Sequence, residues 1–136
     1  MGEDGLKDYG PLAPEPGVPR TTMGYEFWPQ ALGATIRRAA TATGVPVLVT
    51  ENGVATDDDA QRTEFVRGAL DSVLECLAEG VDVRGYTYWS LLDNFEWAHG
   101  YRPAFGLVAV DRATRARTPK PSAAWLGRIA RANAVT

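Results

Sequence analysis

Val45-Pro-Val-Leu-Val-Thr-Glu-Asn-Gly53 is a short apolar run that ends in a polar tetrapeptide, and Val83 to Trp89 is a second such run further on. Val45 to Val49 shows no polar alternation, which predicts a strand covered by helices on both faces. Between the two runs, Phe65, Val66, Ala69, Leu70, Val73, Leu74 and Leu77 recur at helical spacing and stop at Gly80. Strand, helix and strand in that order predict a parallel pair joined by a right-handed crossover, and hence an α/β fold. In such a unit Glu51 sits at the carboxyl end of the first strand. The segment Trp89-Ser-Leu-Leu-Asp-Asn-Phe-Glu96-Trp97 sits at the end of the second.

Working outward, the central helix is expected over 59–79, with Thr56 and Asp59 at capping-box spacing. Upstream, Pro29 suits a first helical turn, and Leu32, Thr35, Ile36, Ala39 and Ala40 continue to Gly44, which predicts a helix over 29–43. Downstream, Phe105 to Val110 reads as a short extended segment. Pro121 opens a last helix over 121–132, with Trp125, Leu126, Ile129 and Ala130 facing inward. Residues 1–22 are punctuated by Gly2, Gly5, Gly10, Pro11, Pro14, Pro16, Gly17 and Pro19 and read as a loop, leaving 23–136 as the folded part.

Composition narrows the function. A net charge of −3 offers no electrostatic footprint for nucleic acid or an anionic membrane. The single Cys76 excludes an intrachain disulfide, and with His99 as the one histidine no metal-ligand cluster or cofactor site is expected. No apolar run approaches the ~20 residues of a membrane span. Glu3, Asp4, Lys7 and Asp8 displace the apolar core that a signal peptide needs, so a cytoplasmic location is expected.

A lone glutamate after a strand is ordinarily a surface carboxylate, and an aromatic near a strand end is ordinarily core. Here carboxylates and indoles cluster at two neighbouring strand ends, which suits a sugar. An ionised carboxylate accepts hydrogen bonds from hydroxyls, and an indole offers one donor and a broad apolar face. Glu96, flanked by Phe95 and Trp97, is costly to bury unpaired. Asp93 and Asn94 are expected to fix the loop through side-chain hydrogen bonds. Tyr86 and Tyr88 share a strand face and are expected to pack, Cys76 to be a small buried hydrophobe, and His99 to be an ordinary loop residue. The Asp57-Asp58-Asp59 run reads as a solvated helix N-terminus that complements the dipole.

Thr50-Glu51-Asn52-Gly53, Gly85-Tyr86 leading to Trp89 through Trp97, Phe105-Gly106-Leu107 and Arg117-Thr118-Pro119-Lys120 together resemble the C-terminal part of glycoside hydrolase family 1, the retaining β-glucosidases. The resemblance begins near Thr22, with Met23-Gly24-Tyr25-Glu26 and Pro29. It implies a partial (β/α)8 TIM barrel: the seventh and eighth strands, parallel, with about three helices. A whole barrel takes about 250 residues, whereas this chain has 136. The resemblance also implies roles. Glu51 would be the catalytic nucleophile, Trp89 a stacking platform, Glu96 an acceptor for two sugar hydroxyls, and the Trp97 N–H a donor to a third.

The sequence departs from the family at Ala69, where a histidine is frequent, and at Ala104, where an arginine often precedes Phe-Gly-Leu. The family's acid/base glutamate lies in an Asn-Glu-Pro motif, which this sequence lacks. The resemblance therefore implies a β-glucoside or related β-glycoside as substrate and no cofactor. Activity would depend on a complementary N-terminal barrel chain, or on self-association. The alternatives are a non-catalytic carbohydrate-binding or interaction protein, or a truncated remnant without function.

Overall fold

A computed structural model describes residues 17–135. Its main elements are helix α1 (Ala31–Thr43), strand β1 (Val47–Asn52), helix α2 (Asp59–Ala78), strand β2 (Val83–Tyr88), strands β3 (Val108–Val110) and β4 (Arg117–Pro119), and helix α3 (Pro121–Ala132). Strands β1 and β2 pair in parallel, as the strand-helix-strand order requires. Residues 1–16 of the expected Gly/Pro-rich loop lie outside the described residues. Residues 17–22 hold a turn, and Arg20 makes an isolated bridge to Glu26.

Most boundaries fall where the periodicity puts them, and the departures have local causes. Pro29 precedes the first helix rather than opening it, because Ala31 and Leu32 donate to the Trp28 and Pro29 carbonyls in a turn that leads into α1. Gly44 ends α1 in the left-handed region at φ 67° and returns its N–H to the Ala40 carbonyl. Asp58, not Thr56, caps α2 by accepting from Ala60 N–H. Thr56 instead accepts from Asp58 N–H and donates to Gln61. Strand β1 begins two residues later than the apolar run, at Val47, and continues through Glu51 to Asn52. β3 and β4 form an antiparallel hairpin of which only the first strand was anticipated.

Two apolar clusters meet at Tyr86. One joins Ile36, Val49, Val73 and Cys76, and so packs α1 and α2 on the outer face of β1. The other joins Val66, Leu70, Tyr88, Leu107 and Ile129, and so packs α2 and α3 on β2. Cys76 and Ala69 are fully buried, and Tyr86 and Tyr88 both point into this helical layer. The opposite face is open. Leu48 is 59% exposed, and Leu74 and Leu77, expected in the core stripe of α2, are exposed beside a cavity of about 420 Å³ between α2, β2 and α3. The expectation of a strand buried on both faces therefore fails for β1: among the described residues, helices cover one face only.

Arg62, at 1% exposure, ties the top of this layer together. Its Nη2 donates to the carbonyls of Thr56 (2.7 Å) and Ala104 (2.6 Å), and its Nη1 to Asp59 (2.7 Å). Asp59 in turn accepts from the N–H and hydroxyl of Ser122, both at 2.7 Å, and so supplies from α2 the cap that α3 lacks. Asp59 is thus a buried-side anchor, contrary to the reading of 57–59 as a purely solvated run. Burial pushes its carboxyl up, but hydrogen bonds from Ser122 and Arg62 outweigh that and hold it below the usual range.

Removing Asp59 strands a buried guanidinium, a change that typically costs 3–5 kcal/mol. Asp59→Ala should therefore destabilise the chain by about 3 kcal/mol or more in urea unfolding. Because the folded carboxyl is depressed, its contribution is present above the ordinary value of about 4 and is lost as pH falls below it. The acid limb of the stability profile should flatten in Asp59→Asn; an unchanged limb counts against this role.

Candidate active site

Parallel pairing places the carboxyl ends of β1 and β2 side by side. The Trp89 N–H donates to the Asn52 carbonyl (2.9 Å), which continues the ladder past the end of β2. The register slips between Val49 and Asn52: three residues on β1 match the two steps from Tyr86 to Tyr88. Such a bulge re-aims side chains at a strand end. It falls on Thr50 and Glu51, whose side chains are exposed. Asn52 turns the other way, and its Oδ1 accepts from the Tyr86 hydroxyl (2.9 Å), a phenol whose acidity burial suppresses.

Gly53 explains the closeness of the two strand ends. A Cβ there would lie 1.7 Å from the Trp89 carbonyl oxygen and 3.3 Å from the Tyr88 ring. Gly106 performs the same service on the next loop, where a Cβ would lie 2.3 Å from the Asp93 nitrogen. In this way residues 104–108 lie against 90–93, with Leu107 N–H on the Ser90 carbonyl (3.0 Å) and Asp93 N–H on the Val108 carbonyl (3.1 Å).

The loop after β2 carries Trp89, Glu96 and Trp97. Trp89 is 40% exposed and Trp97 82% exposed, so neither is a core residue. Glu96 is half-buried, and its Oε2 accepts from Asn94 Nδ2 (2.7 Å), while Asn94 Oδ1 accepts from the Ser90 hydroxyl (3.2 Å). Trp97 adopts φ 46°, a region that non-glycine residues seldom occupy and that often marks a functional turn. Asp93 Oδ1 accepts from Gly106 N–H (2.8 Å) and Lys120 Nζ (3.0 Å), and Lys120 also donates to the Gly106 carbonyl (2.7 Å). His99 is exposed in a one-turn 3-10 helix, Trp97–His99. Among the described residues no group of His, Cys, Asp and Glu is arranged to hold a metal, and no helix is long and apolar enough to cross a membrane.

Of the four candidate site residues, Glu51 lies in β1 next to its carboxyl end, Trp89 directly after β2, and Glu96 and Trp97 in the loop that follows. Asp93 and Asn94 hold the loop through side-chain hydrogen bonds as expected, but sequence reasoning did not name their partners, among them Ser90 and Glu96 in the Ser90–Asn94–Glu96 relay. Asn94, placed two residues before a candidate sugar acceptor, was the available signal. It also gave no role to Arg62, which holds the 104–108 segment by the Ala104 carbonyl.

The family model for glycosyl hydrolase family 1 matches residues 5–135. The chain belongs to glycosyl hydrolase family 1. A β-galactosidase of Sulfolobus acidocaldarius is 40% identical over 118 residues, which cover 87% of this chain and 24% of that protein. A bifunctional β-D-glucosidase/β-D-fucosidase of Bifidobacterium breve is 41% identical over 125 residues, 82% of this chain and 27% of that protein. Among solved structures, the apo form of β-glucosidase 1317 matches with TM-score 0.88 and 56% identity over 91% of this chain and 31% of that one. The family 1 β-glucosidase of Thermotoga maritima bound to isofagomine lactam matches with TM-score 0.86 and 34% identity, over 90% of this chain and 30% of that one. The chain spans about a quarter of the length of these curated relatives. Its α/β fold is the corresponding part of a (β/α)8 barrel.

The glycine contacts give a sharp test. In Gly53→Ala the new methyl meets the Trp89 backbone, so the mutant should lose about 2–3 kcal/mol, the upper range of overpacking costs. In Gly85→Ala the methyl meets only Leu48 Cδ1 at 2.8 Å, a side chain free to move into open space, and the loss should stay below about 1 kcal/mol. Equal losses in thermal melts would remove the argument that Gly53 sets the strand-end spacing.

Proposed function

We propose that this chain supplies the nucleophile and the glycone-binding half of a retaining β-glycosidase site acting on β-D-glucosides or closely related β-glycosides. The observation that supports this most is the packing of Gly53 against the Trp89 carbonyl, which brings the Glu51 strand end against the Trp89–Trp97 loop. In the proposed reaction a Glu51 carboxylate oxygen attacks the anomeric carbon, and the bond to the leaving oxygen breaks as an acid protonates that oxygen. Water, activated by the same residue as base, then releases the sugar from Glu51. Trp89 would lie under the ring, Glu96 would accept two hydroxyls, and the Trp97 N–H would donate to a third. Asn94 holds the Glu96 carboxylate in one orientation before substrate arrives.

The acid/base residue must come from elsewhere, since this sequence has no Asn-Glu-Pro. The exposed edges of β1 and β2 and the exposed Leu48 are the surfaces that further barrel strands would cover. The proposed partner is therefore the remaining portion of the barrel. A sugar-binding role without turnover is the second reading, because Trp89, Glu96 and Trp97 all lie on this chain while the acid does not. Stoichiometric binding of a glucose-like inhibitor to this chain, with no hydrolysis even after the barrel is completed, would favour it.

Alone, the chain should not turn over an alkyl β-glucoside, because general acid catalysis worth ~10² to 10⁴-fold is absent. In the complete barrel, Glu51→Ala should abolish glycosyl-enzyme formation, and azide should restore product from an activated β-glucoside as the α-glycosyl azide. Glu96→Ala should lower kcat/KM by about 10- to 100-fold, the equivalent of leaving hydroxyls without a charged acceptor at ~1–3 kcal/mol, and azide should not restore it. Azide rescue of Glu96→Ala, with Glu51→Ala left inert, would reverse the assigned roles.

A further inference from the structure

The turn bearing Glu96 and Trp97 is closed by its own backbone. Glu96 N–H donates to the Gly100 carbonyl (2.6 Å), His99 N–H to the Glu96 carbonyl (2.8 Å) and Gly100 N–H to the Trp97 carbonyl (3.1 Å). These bonds fix its shape but not its place. On the N-terminal side, Asp93 is pinned by Gly106 and Lys120. On the C-terminal side, the Tyr101 ring meets Phe95 edge to face, with centroids 5.1 Å apart. One side chain reaches both flanks. Arg112, in the turn beyond β3, lies over the Tyr101 ring at 4.0 Å and donates through Nη2 to the Asp93 carbonyl (2.6 Å).

We propose that Arg112 is a positioning residue for sugar recognition: it clamps the two ends of the 93–101 loop and so fixes where Glu96 and Trp97 stand. The clamp suits arginine, whose planar guanidinium can stack on a ring with its face while donating in its plane; a lysine ammonium cannot do both with one geometry. Arg112 reaches the loop from the β3–β4 hairpin, which is itself held by Val108 N–H on the Leu91 carbonyl (2.9 Å) and Lys120 N–H on the Leu107 carbonyl (2.9 Å). The hairpin is thereby the mount of a loop whose contacts beyond Asp93 are otherwise short-range. This inference rests on the glycosidase reading for its consequence, though the clamp itself does not.

The test is a double-mutant cycle in the complete barrel, with this chain as its C-terminal part, read on an aryl β-glucoside. Arg112→Ala should lower kcat/KM about tenfold, within the coupling range of neighbouring residues, and less than about twofold when Glu96→Ala and Trp97→Phe are already present. Arg112→Lys should fall between Arg112→Ala and the native enzyme. A merely structural role predicts the same loss in both backgrounds, and either that result or no loss in the native background overturns the proposal. If the native complete barrel shows no turnover, the glycosidase reading fails, and the clamp is judged on this chain by fluorine NMR with 5-fluorotryptophan. Arg112→Ala should then move the Trp97 resonance, assigned through Trp97→Phe, and leave that of Trp125 in place. An unmoved Trp97 resonance overturns the clamp.

Discussion

A single buried guanidinium holds together the elements on which the candidate site stands. Arg62 grips the Thr56 carbonyl on the loop after β1, the Ala104 carbonyl ahead of β3, and Asp59, which caps α3 through Ser122. The Thr56 contact is buried and the Ala104 and Asp59 contacts are partly so, and a polar group shielded from water must find a partner or cost free energy. Because one side chain satisfies them all, the loop that follows Glu51 cannot shift without unpairing the segment that supports Trp89 to Asp93. The Arg62 Nε is left without a partner, a modest cost beside the three bonds that the guanidinium makes.

The helical layer was legible in the sequence because its causes are local. The stripe from Phe65 to Val73 has one period, Gly44 and Gly80 can take the positive φ that ends a helix, and Pro121 can open one. The β3–β4 hairpin was half-missed because its second strand, Arg117–Pro119, is three exposed residues with a proline at the end, a composition that marks no strand. The exposure of Leu48, Leu74 and Leu77 was missed for the opposite reason: their apolar character records a neighbour, and the residues described here do not supply one. The candidate site residues stand out in the sequence through their motifs. That Asp93 and Asn94 would fix the loop is legible too, but the mount of Asp93 on Lys120 and the contacts of Arg112 are not, since each joins residues by tertiary contact rather than by spacing.

One face of the β1–β2 pair is packed and the other is bare, and that asymmetry has an energetic meaning. A two-stranded parallel sheet is not ordinarily stable, because slanted ladders gain little per residue and demand cover on both faces. Here α1, α2 and α3 cover the outer face through two apolar clusters that share Tyr86. The inner face offers Leu48, and in the helical layer Leu74 and Leu77 stand exposed beside the cavity of about 420 Å³. At roughly 25 cal/mol per Å² of apolar surface, covering Leu48 would favour the association with further strands that the proposed function requires.

The proposed division of chemistry between this chain and the rest of a barrel is compatible with strand geometry. Adjacent strands lie about 4.8 Å apart, so groups at neighbouring strand ends project side by side. That arrangement suits a nucleophile and the residues that hold the sugar it attacks, because both must keep a fixed relation to one ring, and β1 and β2 impose it through the Trp89 bond to Asn52 and the Gly53 contact. It does not suit the acid. A retaining mechanism needs two carboxyl groups about 5 to 5.5 Å apart with the anomeric carbon between them, so the acid must reach in from across the sugar. In the proposed mechanism the acid therefore arrives on a strand that this chain does not contain. In that proposal the parallel pair, the two glycines and Arg62 fix the ends of β1 and β2, and with them Glu51 and Trp89, while the loop that carries Glu96 and Trp97 depends on its mounts at Asp93 and Tyr101.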